Sequence, residues 1–443
     1  MNSASRSRLP IGRGHQASKP IILTFARYYL PGFRAGGPVR SLANLVESLH
    51  EEFDFRIIAG DRDAGDSQRY VGVRAGDWSK VGNSNIYYVD AGPKSLLQIA
   101  RILRRTRYDV LYLNSFFDPL FTFWPLLVRE GCHASTNPLI IAPRGEFSSG
   151  ALQIKKWKKS PYLAAARRFG LYSRALWQAS SELEARQIVL AMSALELGKM
   201  RERVTVAGDI LSTMSGRSSE NHGLTVFVEP NVSRSTDASL EISQARAPGE
   251  ALRVCFLSRI SPMKNLKYAL QVLSDVRRPV RFSIYGPKES KDYWMECERL
   301  IAALPRHVQA TYCGVVEQSR VVETFAEHDL FFLPTRGENF GHVIHESLRA
   351  GTPVLVSDQT PWTELESRGI GVALPLAEPG RFARAIDDVA DWDDKKRGSV
   401  RLAAQQYARS LQLASTAIEA NRSLLWKAVS FRQPRANFQL RGT

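Results

Sequence analysis

Apolar and polar positions alternate between two periods along most of this chain. Ile21-Ile22-Leu23-Thr24-Phe25 opens a β-rich stretch, and a loop carrying Gly32, Gly36 and Gly37 follows. Val39, Leu42, Leu45, Val46 and Leu49 then recur at helical spacing. Short apolar runs over 53–59, 86–89, 110–113 and 139–142 predict further strands, with a helix over 96–103 among them. Runs over 204–207 and 224–228 extend the series. Residues 233–250 are polar and break it. The pattern then restarts, with strands predicted over 252–257, 280–285, 310–312, 330–333 and 353–357. Helices are predicted between them over 265–276, 294–303, 321–327 and 341–350. Strands alternating with helices in this way predict an α/β protein with two doubly wound parallel sheets.

The chain has 443 residues, which suits two domains better than one. The divisions that follow are a basic arm over 1–19, expected to be disordered, a first α/β domain over 20–232 and a linker over 233–250. A second α/β domain spans 251–410, and a helix and tail over 411–443 are expected to pack back on the first. The arm has no apolar run of the kind a secretory signal needs. No stretch of about 18 uninterrupted apolar residues is present either, so the expected location is cytoplasmic. The four cysteines, Cys132, Cys255, Cys297 and Cys313, show no Cys-x-x-Cys spacing, so neither a zinc nor a redox motif is written. The net charge of +16 points to anionic partners without choosing among them.

Candidate chemistry concentrates in the second domain. Pro334 to Glu346 follows a strand and opens a helix, with Glu338 and Glu346 bracketing a glycine turn. Backbone N–H groups at a helix start are unsatisfied and seat hydroxyls or anions. A carboxylate such as Glu346 can accept two hydrogen bonds from a vicinal diol. Alone, the segment would equally read as an amphipathic helix with a capping glutamate. Arg259 and Lys264 follow another strand end, where ligands of open α/β sheets sit, and two cations there suit a diphosphate. As isolated residues they would be ordinary solvated charges. Gly286 ends a third strand.

These residues carry a resemblance. The stretch from Leu252 to Leu376 resembles the retaining GT-B glycosyltransferases of glycosyltransferase family 4. Glu338 and Glu346 match that family's Glu-x7-Glu motif, and Arg259 and Lys264 match its Arg…Lys pair. The resemblance implies a GT-B fold, two Rossmann-like domains facing across a cleft, with the acceptor on the first and the nucleotide-sugar donor on the second. It implies that Arg259 and Lys264 bind the donor pyrophosphate, that Glu346 holds the ribose, and that Glu338 with the backbone of Asn339, Phe340 and Gly341 contacts the transferred sugar. Gly36 and Gly37, in a loop between a strand and a helix, would face the donor phosphates, and Gly286 would complete the donor site. Arg144 in Pro143-Arg144-Gly145 would face the cleft on the acceptor side. Asn114, expected with Arg144 on the acceptor side, ends a strand where many relatives have a histidine near the reacting sugar, and here the sequence departs from the family pattern. Ser357 to Trp362 looks like members that build bacterial surface polysaccharides. The expected reaction is therefore transfer of a hexose-type sugar from a nucleoside-diphosphate donor to a hydroxyl of a glycan or lipid-linked acceptor. Exopolysaccharide, O-antigen or lipopolysaccharide synthesis is its expected setting, with no cofactor and no metal required.

Other readings compete. Asp61-Arg62-Asp63 has the form of a Mg²⁺ or Mn²⁺ diphosphate site of the other large glycosyltransferase fold. The Arg/Lys pair makes that metal unnecessary. His342 and His345 flank Glu346 without the further ligands a zinc site needs, and His342 is expected to line the sugar pocket. The basic, aromatic-studded segment 155–168 suits an anionic membrane surface, which would hold the protein peripherally on the inner face of the plasma membrane. It equally suits a solvated helix face. A nucleotide-sugar 2-epimerase of the same fold would need acid/base groups around the sugar that the first domain does not display. A non-catalytic nucleotide-binding protein has no use for all four of Arg259, Lys264, Glu338 and Glu346. Nucleic-acid binding through the excess charge lacks a recognisable module.

Overall fold

The computed structural model describes residues 18–90, 92–130, 137–148, 151–152, 161–164, 166, 171–172, 175–194, 203–208, 250–413 and 416–431. The arm to residue 17, the strand expected over 224–228, the linker to residue 249, Cys132, the last residues of the tail and most of the basic segment 155–168 lie outside them.

Among the described residues, the first sheet holds β1 (Ile21–Phe25), β2 (Asp54–Gly60), β3 (Trp78–Val81), β4 (Ser84–Val89), β5 (Val110–Leu113), β6 (Leu139–Ile141), β7 (Ala175–Ala179) and β8 (Val204–Val206). Their order is β3-β4-β2-β1-β5-β6-β7-β8. Pairing is parallel throughout except at the edge, where β3 runs antiparallel to β4 with Trp78 opposite Tyr87. Helices α1 (Gly37–Leu49), α2 (Lys94–Arg105), α3 (Trp124–Glu130) and α4 (Glu182–Ala194) accompany it. Successive strand residues point to opposite faces, and β1 shows it. Ile22 joins Leu42 and Val46 of α1 on one face, while Leu23 and Phe25 join Ile99 and Leu103 of α2 on the other.

The second sheet is parallel, in the order β11-β10-β9-β12-β13-β14. Its strands are β9 (Leu252–Leu257), β10 (Val280–Tyr285), β11 (Val308–Gly314), β12 (Leu330–Leu333), β13 (Val354–Ser357) and β14 (Gly371–Leu374). Helices α5 (Leu266–Ser274), α6 (Lys291–Ala302), α7 (Val321–Ala326), α8 (His342–Arg349), α9 (Pro379–Ala390) and α10 (Asp394–Leu413) surround it. The central strands β12 and β13 are buried along their whole length, as parallel strands covered on both faces must be. The chain then returns to the first domain. Helix α11 (Ala417–Ser430) places Leu424, Leu425 and Ala428 in the same core as Leu42 and Val46. Its Trp426 ring lies 5.1 Å from Phe53.

Several elements escaped the periodicity, helices α3 and α4 among them. β3 is a short, partly exposed edge strand. β14 begins on a glycine with φ +152° and is only partly buried. α9 lies beyond the last expected strand. β7 is fully buried, yet Gln178 interrupts its apolar run, and a buried glutamine is legible as core only once its partners are known.

Candidate active site

Parallel strands bring their C-terminal ends to one sheet edge, where loops can gather side chains from distant parts of the chain. On the second domain, β9 ends at Leu257 and β10 at Tyr285 in direct register. Gly286 follows with φ +131°, and a Cβ there would lie 1.9 Å from the Ser258 carbonyl oxygen. Glycine alone permits that approach. Arg259 leaves this edge half exposed and pairs with Glu289. A tight turn then returns the Lys264 N–H to the Ser261 carbonyl at 3.1 Å. Asn265, at φ 63°, closes the turn and donates to the Pro334 carbonyl at 3.0 Å, binding it to the end of β12.

Lys264 and Glu338 meet as an ion pair, both side chains mostly buried. Glu338 sits in the loop after β12, with its N–H on the Gln359 carbonyl at 2.9 Å. Gly341 starts α8 at φ +80°, and a Cβ there would press on Ile344 at 2.9 Å and Glu338 at 3.0 Å. Glu346 projects from α8 at the same edge. Its Oε1 accepts from Gln318 at 2.9 Å and pairs with Arg40, which reaches across from α1 of the first domain. His345 faces the other way. It is buried, bonded to the Ala408 carbonyl of α10 at 3.3 Å, and burial lowers its pKa to about 4. His342 faces the cleft, with its Nε2 3.2 Å from Ser41 Oγ.

The first domain supplies the opposite wall. The loop through Gly32 and Gly36 is held by Asp63, which accepts from the N–H groups of Phe33 at 2.8 Å, Arg34 at 3.1 Å and Ala64 at 2.7 Å. Asp61 pairs with Arg62 and Arg69. The Asp-x-Asp segment thus anchors loops, and among the described residues no group of three metal-ligating side chains forms. Gly36 caps α1 at φ 71°, with Pro38 in the first turn, as proline's missing N–H and fixed φ favour. A Cβ on Gly37 would meet only His342, at 3.7 Å.

Arg144 lines the cleft in the left-handed region, at φ 54°. Its Nε donates to Asn114 Oδ1 at 2.8 Å and its Nη2 to the Tyr112 hydroxyl at 2.9 Å. Asn114 is buried behind it and is not among the residues that line the cavity. Its side chain is committed to the arginine. Glu184 holds the turn by accepting from the Gly145 N–H at 2.6 Å. Glu146 accepts from Ser115 Oγ and from the N–H groups of Phe116 and Phe117. Burial pushes its carboxyl above the usual range despite these bonds.

The two walls touch. Asn339 donates to Ser180 Oγ at 2.7 Å, and a Cβ on Gly145 would lie 3.2 Å from Asn339. Between them lies a cavity of about 380 Å³, within the range of small-molecule sites, about 300–1,000 Å³. Gly36, Gly37, Arg144, Arg259, Lys264, Gly286, Glu338, Asn339, Phe340, Gly341 and Glu346 all line it. Arg40, Gln318 and Glu184 also line it and were not singled out from sequence. Arg40 had one legible signal, its place in the first turn of the helix after the glycine loop.

Residues 238–407 match the family model of glycosyl transferases group 1. The match spans the second domain and less than half of the chain. Over most of its length the chain is 20% identical to a 41.2 kDa protein in the cps region of Klebsiella pneumoniae, across 85% of this chain and 93% of that protein. A D-inositol 3-phosphate glycosyltransferase of Nocardia farcinica is 30% identical over 158 residues, a third of this chain and 32% of that enzyme. Among solved structures, Anabaena HepE in complex with UDP and glucose superposes with a TM-score of 0.61 at 18% identity, covering 93% of this chain and all of HepE. The fold is GT-B. No helix among the described residues is long and apolar enough to cross a membrane.

Proposed function

We propose that this protein is a retaining glycosyltransferase. It moves a hexose-type sugar from a nucleoside-diphosphate donor to a hydroxyl of a glycan or lipid-linked acceptor in surface polysaccharide synthesis. The observation that carries the reading is the convergence of Arg259, Lys264, Glu338 and Glu346 on one edge of the second sheet, facing the glycine loop of the first domain across a single cavity. The bound UDP and glucose of HepE and the cps-region setting of the Klebsiella relative support it.

Lys264 and Arg259 are the two cations that face the diphosphate position. Donor binding exchanges their carboxylate partners, Glu338 and Glu289, for phosphate oxygens. Their charge then stabilises the diphosphate as it departs. Glu346 accepts from the ribose hydroxyls, and Glu338, released from Lys264, accepts from hydroxyls of the sugar. The bond between the anomeric carbon and the diphosphate oxygen breaks. The acceptor oxygen attacks that carbon on the same face, and its proton passes to the departing phosphate. Closure of the two walls keeps water from competing. No step in this scheme calls on a metal or cofactor.

Calorimetric titration of a panel of UDP-, GDP-, ADP- and dTDP-sugars tests the assignment, with wild type compared against Lys264→Ala and Glu346→Ala. One donor should bind wild type and lose most of its affinity in both variants. If none binds, or the variants match wild type, the site is misassigned and the nucleic-acid or non-catalytic reading comes forward.

A further inference from the structure

A chain of buried polar side chains runs from the cleft to the helix that returns from the second domain. It begins at Arg144, whose Nη2 donates to the Tyr112 hydroxyl at 2.9 Å. Tyr112 donates in turn to Gln178 Oε1. Gln178 Nε2 donates to the Ala207 carbonyl at 3.1 Å and to Asn421 Oδ1 at 2.8 Å. Asn421 Nδ2 donates to the carbonyls of Gly208 at 2.9 Å and Ala417 at 2.7 Å. Tyr112 is 1% exposed, and Gln178 and Asn421 are 3% exposed each.

The polarity of this chain is set at one end. A guanidinium has donors only, so Tyr112 accepts from Arg144 and spends its single hydrogen on Gln178. Gln178 must then present its oxygen to Tyr112 and its amide hydrogens to Ala207 and Asn421. Asn421 must present its oxygen to Gln178 and its hydrogens to two carbonyls. Each amide hydrogen of both residues has an acceptor. Polar groups in the middle of a parallel strand and under a helix cost stability unless every one is satisfied, and apolar residues fill such positions more cheaply. Packing therefore does not account for three polar residues in series. What the series does is hold the Tyr112 hydroxyl, and with Asn114 that hydroxyl fixes the guanidinium of an arginine whose own backbone sits at a φ unfavourable for a side-chain-bearing residue.

We propose that Tyr112, Gln178 and Asn421 are positioning residues for Arg144, so that docking of α11 on the first domain sets the geometry of the acceptor wall. This rests on the glycosyl-transfer reading of the cleft. It makes the segment following the donor domain a working part of the acceptor side.

The test uses the full chain, with UDP-glucose or whichever nucleotide sugar of the panel the wild type turns over, water serving as acceptor in the absence of a glycan. Tyr112→Phe should lower kcat about tenfold, the scale of one lost hydrogen bond to a charged group, and Asn421→Leu, which acts on that bond through Gln178, should lower it in the same direction by at least about threefold. KM and the Kd for the free nucleoside diphosphate should stay within about twofold, because the donor wall is untouched. In an Arg144→Ala background neither substitution should lower the rate further, since the group they position is gone. Additive losses in that background, unchanged turnover in the single variants, or kcat and nucleotide affinity falling together with Tm would each overturn the proposal. Tyr112→Phe removes one oxygen atom and keeps the ring, so it tests the relay even if Asn421→Leu undocks the helix. If wild type binds no nucleotide sugar, the functional reading fails. If wild type turns a donor over and the variants match it, only the relay fails.

Discussion

Truncating Lys264 separates what this residue does for the fold from what it does for the donor. Its side chain is 10% exposed and that of Glu338 is 15% exposed. Lys264→Ala leaves the carboxylate without its cation, and breaking a fully buried pair costs about 3–5 kcal/mol. The cavity borders this pair, so water can partly replace the ammonium, and the loss here is about 1–3 kcal/mol. At about 2–4 °C per kcal/mol for a domain of this size, Tm falls by about 2–12 °C. Donor binding loses a charge-assisted hydrogen bond to the diphosphate, worth about 1.5–3 kcal/mol, or about 10- to 150-fold in Kd. Because the free protein already satisfies Lys264 with Glu338, the lower end applies. Scanning fluorimetry and calorimetric titration with the nucleoside diphosphate, at one fixed ionic strength, read the two effects. The double variant Lys264→Ala, Glu338→Ala should recover much of the Tm without recovering affinity. Affinity within twofold of wild type in Lys264→Ala would refute the phosphate role. A double variant that regained both would show that the defect was only the orphaned carboxylate.

Three further outcomes follow from the geometry. Arg40→Ala frees Glu346 Oε1 from an ion pair with side chains 28% and 10% exposed, worth about 0.5–1 kcal/mol. Nucleotide Kd should therefore tighten about two- to fivefold, and weaker binding would mean that Arg40 itself contacts the donor. Gly286→Ala forces a Cβ against the Ser258 carbonyl at a φ that only glycine adopts freely. It should cost about 3 kcal/mol or more in urea unfolding, and a loss under about 1 kcal/mol would contradict the packing of β9 against β10. His345 stays neutral in the folded protein down to about pH 4, whereas in the unfolded chain it takes up its proton near 6.5. Its depressed pKa means that stability is full above pH 6.5 and is lost as pH falls towards 4, by about 2–3 kcal/mol. His328, also lowered by burial, adds in the same direction. Urea midpoints at pH 7 and 4.5 should differ less for His345→Gln than for wild type, and identical pH dependence would remove His345 as the cause.

What this chain's sequence determined by itself is the part of the protein that local physics controls. A run such as Leu330–Leu333 reads as a strand because both faces are covered and no polar residue interrupts it. Arg259 and Lys264 were legible as candidates because the ends of parallel strands share an edge, so residues just past a strand need no long-range information to be placed there. Tertiary structure decided whatever depends on a distant partner. β7 is a core strand because Asn421, 243 residues away, satisfies Gln178. Asn114 lies behind the cavity wall, where Arg144 claims its oxygen. Arg40 became part of the site because Glu346 lies opposite it, 306 residues along the chain. A hydrogen bond or ion pair carries no periodicity, and its partner is fixed only when two separately folded sheets and a returning helix close on one another.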